Sequence, residues 1–463
     1  MSKLPKILII LPRGETIRNF IYTDIVKELR THYHVTLHAV KPNEPIWELL
    51  EEHSDELIEL QPEKFSYIYK LFFEIFDLAH NRYMWSEAAK VRWEMRDVEA
   101  NTIRKKAIRF FKKTVARVLA NQRALVFLEQ IDAWLANREQ QIITHRNCLK
   151  AEKFKLVFNT SHSHARIALP LIYAANQEKI KTATFLYSWD NLTSQGRVVP
   201  RYDYYFAWNS KIKADFHSIY PHIEEQQVLV TGTPQFINHF NDDKCLAKND
   251  LYLKIGLKPE DNYFLYSSGM SHHMPYEPYV VERIADIIKA IDPNLKLVVR
   301  TYAKDKGDVF DALKHKRKDI IIPNVEWEKN FQTPLESDQA FFIALMKNCI
   351  AGINVASTIS LELCMLNKPA INVGYNPPGK DIYPYNYTRF YSFDHYKPIV
   401  DSGAVQVAKD EEEMRLFLEE AIQNTDNFSA ERSALVDAFF EQQLGEIVKD
   451  NFIKFIRQSV NAN

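Results

Sequence analysis

The stretch IAGINVASTISLELCMLNKPAINVG, Ile350–Gly374, contains two short apolar runs separated by a helix-like segment. The runs Ile350–Asn354 and Ala370–Gly374 are continuous rather than alternating, which is typical of strands covered on both faces. Between them, Ser357 or Thr358 can cap a helix. A strand, a helix and a second strand in succession predict a parallel pair joined by a right-handed crossover.

The same alternation of apolar runs and amphipathic segments recurs along most of the chain. It predicts an α/β protein with two doubly wound, Rossmann-like parallel-sheet domains that face a cleft. The other predicted strands are Lys6–Leu11, His34–Val40, Lys155–Asn159, Thr182–Tyr187, Tyr204–Trp208, Val228–Thr231, Tyr263–Ser267, Leu295–Arg300 and Asp319–Ile322.

A polar stretch separates the predicted strands into two sets and gives the domain boundaries. It is a predicted linker, 238–262, between an N-terminal domain, 1–237, and a C-terminal domain, 263–430. The segment at about 65–146 lacks strand patterns and is rich in aromatic and charged residues, so we expect a helical insertion there. Residues 431–463 are predicted to form a C-terminal helix, which closes one domain or crosses back onto the other.

Composition places the chain among ordinary globular proteins. Its 463 residues carry 59 basic and 60 acidic side chains, a net charge of −1 that argues against nucleic acid as a partner. Four scattered cysteines without a CxxC pair disfavour zinc and dithiol sites and indicate a reducing compartment. No apolar run is long enough to span a membrane, and Ile7–Leu11 is too short for a signal peptide, so we expect a cytoplasmic protein.

One segment of the predicted insertion is strongly basic. Residues 101–123 contain eight Lys and Arg side chains and no acidic one. Ile108, Phe111, Val115 and Leu119 recur at helical spacing, which predicts a basic amphipathic helix. Such a helix suits an anionic membrane surface, with the protein peripheral at the inner membrane face, or an acidic acceptor. A solvated face of a core-packed helix is the other interpretation.

Candidate ligand-binding residues follow the predicted strands, where open parallel sheets bind ligands. Gly14 opens a helix after the first strand, where backbone N–H groups can meet an anionic or hydroxyl-rich ligand; a tight turn without a ligand is the alternative. His162 and His164 follow Lys155–Asn159 and are candidates to hydrogen-bond substrate. No nearby third ligand supports a metal site for this pair.

The strand Thr182–Tyr187 ends in SWDNLTSQG, which combines a ring, a carboxylate, an amide and hydroxyls. Trp189 can stack on the apolar face of a sugar, and Asn191 can bind its hydroxyls. Asp190 is a candidate general base for an acceptor hydroxyl. An Asx turn, in which Asp190 or Asn191 bonds local backbone, is the alternative.

Polar residues in the second half fit a nucleoside diphosphate. Gly269 lies in a small-residue turn whose backbone N–H groups can bind phosphate. Arg300 ends a strand and suits a diphosphate, with a surface ion pair as the alternative. Ser357 and Thr358 at a helix start offer an anion site, and Glu362 on the same helix can accept both hydroxyls of a ribose.

Three motifs resemble segments of one enzyme group. VASTISLE, Val355–Glu362, with the following NKPAI, Asn367–Ile371, resembles the nucleotide-binding part of GT-B glycosyltransferases, above all those of bacterial surface polysaccharides. SWDNLT, Ser188–Thr193, and VTGTPQ, Val230–Gln235, are similar to segments of such transferases. The likeness extends to CDP-glycerol glycerophosphotransferases and to the UDP-GlcNAc 2-epimerase fold, and it covers roughly residues 180–375.

The resemblance implies a metal-independent glycosyltransferase of cell-surface polysaccharide synthesis. A nucleotide-sugar would be the donor substrate, with no separate cofactor, and a glycan or lipid-linked molecule the acceptor. The C-terminal domain would hold the donor, with Ser357 and Thr358 on the diphosphate and Glu362 on the ribose. A polyol-phosphate transferase, a sugar-nucleotide epimerase and a non-catalytic sugar-binding partner remain alternatives.

Overall fold

Each of the two sets of predicted strands forms one parallel sheet. The computed structural model describes residues 4–41, 44–163, 166–302, 309–328 and 333–461. These fall into an N-terminal unit, drawn from Met1–Ile237, Glu328–Thr333 and Gln443–Asn463, and a C-terminal unit, drawn from Asn238–Trp327 and Pro334–Gln442. The prediction of two doubly wound, Rossmann-like parallel-sheet domains is confirmed.

The N-terminal unit is built on a seven-stranded sheet. Its strands are β1 Lys6–Leu11, β2 His34–Ala39, β3 Glu56–Glu59, β4 Leu156–Asn159, β5 Lys181–Phe185, β6 Tyr204–Ala207 and β7 Val228–Val230. They are arranged in the order β3-β2-β1-β4-β5-β6-β7, and every neighbouring pair is parallel. The strand order reverses between β1 and β4, so the loops after these two strands flank the position where such sheets bind ligands.

Helices cover both faces of this sheet, and five of them form the predicted insertion. The helices are α1 Gly14–Phe20, α2 Ile25–Arg30, α3 Glu44–Glu52, α4 Tyr67–Met84, α5 Glu87–Glu99, α6 Ile103–Leu119, α7 Gln122–Ala136, α8 Gln140–Glu152, α9 Leu169–Gln177, α10 Asn191–Ser194 and α11 Ser210–Ile219. Helices α4–α8 occupy the connection from β3 to β4. They bury a small core of their own around Phe76, Trp93 and Leu128.

The C-terminal unit is built on a six-stranded parallel sheet. Its strands are β8 Tyr263–Ser267, β9 Lys296–Arg300, β10 Ile320–Ile321, β13 Gly352–Asn354, β14 Ala370–Val373 and β15 Val405–Ala408, in the order β10-β9-β8-β13-β14-β15. The short strands β11 Trp327–Glu328 and β12 Thr333–Pro334 pair separately. The order reverses between β8 and β13, which places the loops after these two strands at the equivalent ligand position.

Among its described residues the C-terminal unit has eight α-helices, and one of them lies in the predicted linker. They are α12 Lys248–Ile255, α13 Glu277–Ile291, α14 Asp311–Lys316, α15 Glu336–Asn348, α16 Ile359–Met365, α17 Lys397–Asp401, α18 Glu411–Gln423 and α19 Ser429–Phe440. Helix α12 falls within 238–262 and packs on α15. Its buried Leu251, Tyr252 and Ile255 show why: Ile255 lies at helical spacing from both of the others, among the polar residues of this stretch.

The last helix, α20 Glu446–Asn461, belongs to the N-terminal unit. Phe452 on α20 is fully buried, with its ring centroid 5.4 Å from that of Phe20 and 5.5 Å from that of Phe185. Gly232 after β7 has φ +78°, and a Cβ there would lie 2.8 Å from Val448 Cγ2. The glycine therefore permits both the turn and the close approach of α20.

Among the helices of the described residues, none combines the length and the apolar character needed to cross a bilayer. Cys349 and Cys364 are buried, and burial raises the pKa of each thiol to about 12. Thiols with such pKa values remain protonated near neutral pH and are unreactive.

We expect Phe452→Ala to lower the free energy of unfolding by about 3–5 kcal/mol, because it leaves a cavity between helix and sheet. Urea denaturation followed by circular dichroism measures this loss. The matched control is Phe127→Ala, at a ring that is 60% exposed, which should change stability by less than about 0.5 kcal/mol. Equal midpoints for the two variants would contradict the role of α20 as a core element.

Candidate functional site

The loops after β1, β4 and β5 lie together at one edge of the N-terminal sheet. Gly14 begins α1 and is buried, and its carbonyl accepts a hydrogen bond of 2.7 Å from Thr333 Oγ1. His162 is 8% exposed, and the Tyr187 N–H donates to its Nδ1 at 3.3 Å. His162 therefore links the loop after β4 to the loop after β5, while His164 lies outside the described residues.

Trp189 and Asn191 support the loop after β5 from within. Trp189 is buried, which leaves little of its ring accessible to a sugar. Asn191 is also buried, and its Oδ1 accepts a hydrogen bond of 3.1 Å from the Ser188 N–H. The local-turn interpretation thus describes Asn191 in this conformation.

Asp190 is half-buried beside these residues, and its carboxylate is oriented by side chains. Ser194 Oγ donates to Oδ2 at 2.7 Å, and Asn191 Nδ2 donates to Oδ1 at 3.3 Å. Burial, together with charges that include Asp190, raises the pKa of Tyr187 to about 12. Each carboxylate oxygen has lone pairs beyond these bonds, so Asp190 retains the capacity to accept a proton.

A cavity of about 610 Å³ opens between the helical insertion and the loops that follow β4 and β5; we call it the insertion cavity. Helices α4, α5 and α6 line one side, and residues around His162 and Gly196 line the other. Seven basic and three acidic side chains contribute to its walls. Its volume lies within the range of roughly 300–1,000 Å³ that is typical of ligand pockets.

In the C-terminal unit, a buried polar network holds the turn between β13 and α16. Asn372 Nδ2 donates to Asn354 Oδ1 at 3.1 Å, and Tyr396 Oη donates to Asn372 Oδ1 at 2.6 Å. The Ser357 N–H also donates to Asn354 Oδ1, at 3.2 Å. Asn354 thereby fixes the position of Ser357 and of the α16 N-cap residue, Thr358.

Glu362 projects from α16 and is 7% exposed. Its Oε2 lies 2.7 Å from His239 Nε2, which fixes the orientation of the carboxylate. Ala356, two residues before Thr358, has φ +33°, a left-handed backbone that a side chain makes costly. The structure brings Ser357, Thr358 and Glu362 together on one turn of chain at the strand-order reversal of this sheet.

Gly269 and Arg300, the other two predicted phosphate ligands, are already engaged. The Gly269 N–H donates to the Glu277 carboxylate at 3.0 Å, so a phosphate contact there requires Glu277 to move. Arg300 is buried and paired with Asp338, which makes it a buried ion pair rather than a surface one. Burial lowers the pKa of Arg300, and the Asp338 carboxylate offsets part of that effect.

The basic segment of the sequence is helix α6, and its cations differ in their surroundings. Arg109 pairs with Asp97, and Lys112 pairs with Glu74. The helix also exposes apolar side chains, among them Ile103 at 89% and Val118 at 74%. Contact with an anionic membrane stays a prediction.

Sequence reasoning missed the residues that act through long-range contacts. His239 lies in the polar stretch assigned to a linker, and no local pattern relates it to Glu362. Arg92 and Arg166 line the insertion cavity. They come from segments that are far apart in the chain, which only the folded insertion brings together.

Neither a family model nor a curated protein matches this chain. Several solved structures, however, are similar to this chain in fold. UDP-GlcNAc 2-epimerase from Neisseria meningitidis bound to UDP-GlcNAc is 12% identical over 98% of this chain and 100% of that one, with a TM-score of 0.57. The UDP-GlcNAc 2-epimerase from Methanocaldococcus jannaschii is 15% identical over 99% of both chains, with a TM-score of 0.52.

A glycosyltransferase is among the similar structures as well. The glycotransferase of kitacinnamycin is 10% identical over 99% of this chain and 100% of that one, with a TM-score of 0.51. Identities this low establish the fold and leave the chemistry open. The present chain has the two-domain GT-B type of fold that these enzymes share.

Proposed function

We propose that this protein is a GT-B glycosyltransferase that moves a sugar from a nucleotide-sugar donor to a glycan or lipid-linked acceptor. The insertion cavity is the observation that carries this proposal. Epimerisation changes one substrate at one carbon, whereas transfer needs room for a second substrate. The cavity supplies that room in the N-terminal unit, next to the loops that follow β4 and β5.

The donor side of the proposal rests on the C-terminal unit. Ser357 and Thr358 offer hydroxyl and N–H groups to the diphosphate at the start of α16, where the helix dipole favours negative charge. Glu362 accepts the ribose hydroxyls through the oxygen that His239 leaves available. Arg300 contributes positive charge from behind its pair with Asp338, and Gly269 contributes once Glu277 moves.

The acceptor side of the proposal gives Asp190 the role of general base. The acceptor hydroxyl oxygen attacks the anomeric carbon of the sugar, and its proton passes to the Asp190 carboxylate. The bond from that carbon to the diphosphate oxygen breaks, and the electron pair leaves with the nucleoside diphosphate. Gly14 and His162 line the same sheet edge as candidate substrate contacts, as do Trp189 and Asn191 if the loop opens.

A sugar-nucleotide epimerase is the second candidate, because two of the similar structures carry that name and share the fold over nearly the whole chain. Such an enzyme would use the same C-terminal nucleotide contacts. It would not require an acceptor.

A donor screen separates the two candidates. We expect one of the UDP-, GDP-, CMP- or CDP-linked sugars to raise the melting temperature, since a ligand bound only by the folded chain stabilises it. Nucleotide release from that donor should increase when acceptor glycan is added. Conversion of the donor to its epimer without nucleotide release would instead identify an epimerase.

We expect Glu362→Gln to weaken nucleotide binding about tenfold, because the amide lacks the charge that strengthens hydrogen bonds to ribose hydroxyls. Isothermal titration with the nucleotide found in the screen measures the change. Glu412→Gln, at an exposed glutamate of α18, is the matched control and should leave affinity unchanged. Affinity within twofold of the unsubstituted protein for both variants would remove Glu362 from the ribose role.

We expect Asp190→Asn to lower kcat by about 10²–10⁴-fold while donor affinity stays the same, since the amide cannot take the acceptor proton. Steady-state nucleotide release gives kcat, and the melting-temperature shift reports donor binding. Asp215→Asn, on α11 away from the strand-end loops, serves as control. Normal turnover of the Asp190 variant would assign the base to another group.

A further inference from the structure

The insertion cavity has more positive charge than its own carboxylates neutralise. Three of its cations are paired among the described residues. Lys112 pairs with Glu74, Arg109 Nε lies 2.8 Å from Asp97 Oδ1, and Arg197 Nη2 lies 3.3 Å from Asp132 Oδ1. By contrast, Arg92, Arg96 and Arg166 form no salt bridge or hydrogen bond within the part of the chain that the structure describes. Asp77 and Glu99 line the cavity without a salt bridge among the described residues and offset part of this charge, but Lys105 adds to it, so the cavity keeps a net positive charge.

Arg166 packs against an aromatic ring but forms no salt bridge with a carboxylate among the described residues. Its guanidinium carbon lies 4.8 Å from the centroid of the Phe73 ring, and its Nε is buried without a hydrogen-bond partner among the described residues. A buried polar group without a partner costs stability unless a ligand satisfies it. Phe73 therefore holds Arg166 at the cavity wall although its buried Nε lacks a partner there. An anion bound in the cavity would satisfy this group and remove the energetic cost.

Arg92 faces the same space from α5 and is half-buried. Burial lowers the pKa of Arg92, and so does the charge of Arg96, whereas Asp77 and Asp190 raise it. Ser86 precedes α5 and donates from its Oγ to the Thr193 carbonyl, so α5 packs against the short helix that follows the candidate base Asp190. An acceptor bound by Arg92 would thus bring its neighbouring groups near Asp190.

Rigid neighbours fix the wall between these arginines. Arg197 is 6% exposed, and its guanidinium carbon lies 3.6 Å from the centroid of the Phe76 ring. Burial acts to lower the pKa of Arg197, but Asp132 and neighbouring groups together outweigh it, so the pKa is raised and the guanidinium stays charged. A Cβ at Gly196 would clash with the Asp77 carboxylate, so glycine allows α4 to approach the loop after β5.

We propose that the insertion cavity is the acceptor site and that the acceptor carries a phosphate or diphosphate group bound by Arg92 and Arg166. This inference rests on the proposed glycosyltransferase function. Guanidinium groups bind phosphate oxygens in pairs of parallel hydrogen bonds, and a phosphate ester has enough charge to meet more than one arginine. A neutral glycan has hydroxyls alone and would leave the arginines uncompensated.

Equilibrium dialysis with labelled inorganic pyrophosphate tests this directly. We expect Arg92→Gln/Arg166→Gln to lower the affinity of one class of site at least tenfold. The affinity of Arg92→Lys/Arg166→Lys should lie between those of the unsubstituted protein and the glutamine variant, because lysine keeps the charge but lacks the planar fork. Pyrophosphate bound at the nucleotide site of the C-terminal unit would be insensitive to both double variants.

Lys150→Gln/Lys155→Gln is the matched control, since both lysines are exposed cations of the same unit that do not line the cavity. It should keep pyrophosphate affinity within twofold. All variants should show the melting-temperature shift with donor that the unsubstituted protein shows, which excludes misfolding as the cause of a loss. The proposal is wrong if Arg92→Gln/Arg166→Gln binds pyrophosphate as tightly as the control Lys150→Gln/Lys155→Gln does.

Competition identifies the source of the phosphate. Displacement of pyrophosphate by geranyl diphosphate at lower concentration than glucose 1-phosphate assigns a lipid-linked acceptor, and the reverse order assigns a phosphorylated sugar; either supports the proposal. If no nucleotide-sugar binds while pyrophosphate binding still depends on the two arginines, the glycosyltransferase function fails and the acceptor role fails with it. If donors bind, and the arginine variants glycosylate neutral glycans as fast as the unsubstituted protein does, the acceptor proposal alone fails.

Discussion

Parallel pairing of the strands is the constraint on which the rest of this structure depends. Because every neighbouring pair within the two main sheets is parallel, the carboxyl ends of all strands in a sheet lie along one edge. The apolar strands end there in polar loops, and the order reversals at β1/β4 and β8/β13 separate those loops enough to admit a ligand. Candidate residues as far apart in the chain as Gly14 and Asp190 share an edge for this reason alone.

Most of the fold follows from local sequence, and the exceptions have a physical cause. The pattern missed the short pair β11 and β12 and two strands of the main sheets, β3 and β15, which lie at the outer edges of those sheets. β3 has the sequence ELIE and is largely exposed, so it lacks the apolar run that identifies a strand covered on both faces. The two inner positions of β15 are only partly buried.

The candidate site was predictable in location and less so in detail. The strand end before Ser357 and the helix start after Thr358 follow from local chain order and are present in the structure. Nucleotide binding at this turn stays a prediction. Contacts between distant segments could not be predicted: His239 with Glu362, Glu277 with the Gly269 N–H, and the burial of Trp189. Each of these depends on how helices and loops pack on the sheet, which periodicity does not encode.

Arginines with a carboxylate partner and arginines without one have different roles in this protein. Arg197 and Arg300 are buried against Asp132 and Asp338, and such pairs contribute fixed geometry more than net stability. Arg166 lies against an aromatic ring with its charge unmet. The paired arginines fix the packing of the elements around them, whereas an arginine without a salt bridge, such as Arg166, is able to bind an anionic ligand.

The position of α20 has a consequence for how the protein is made. Phe20, Phe158 and Phe185 pack against Phe452, which the ribosome adds only after the whole C-terminal unit. At about 5–20 residues per second, the roughly 200 intervening residues take about 10–40 s to synthesise. During that interval one face of the first sheet is without its covering helix, so the nascent chain offers chaperones an aromatic surface that the finished protein hides.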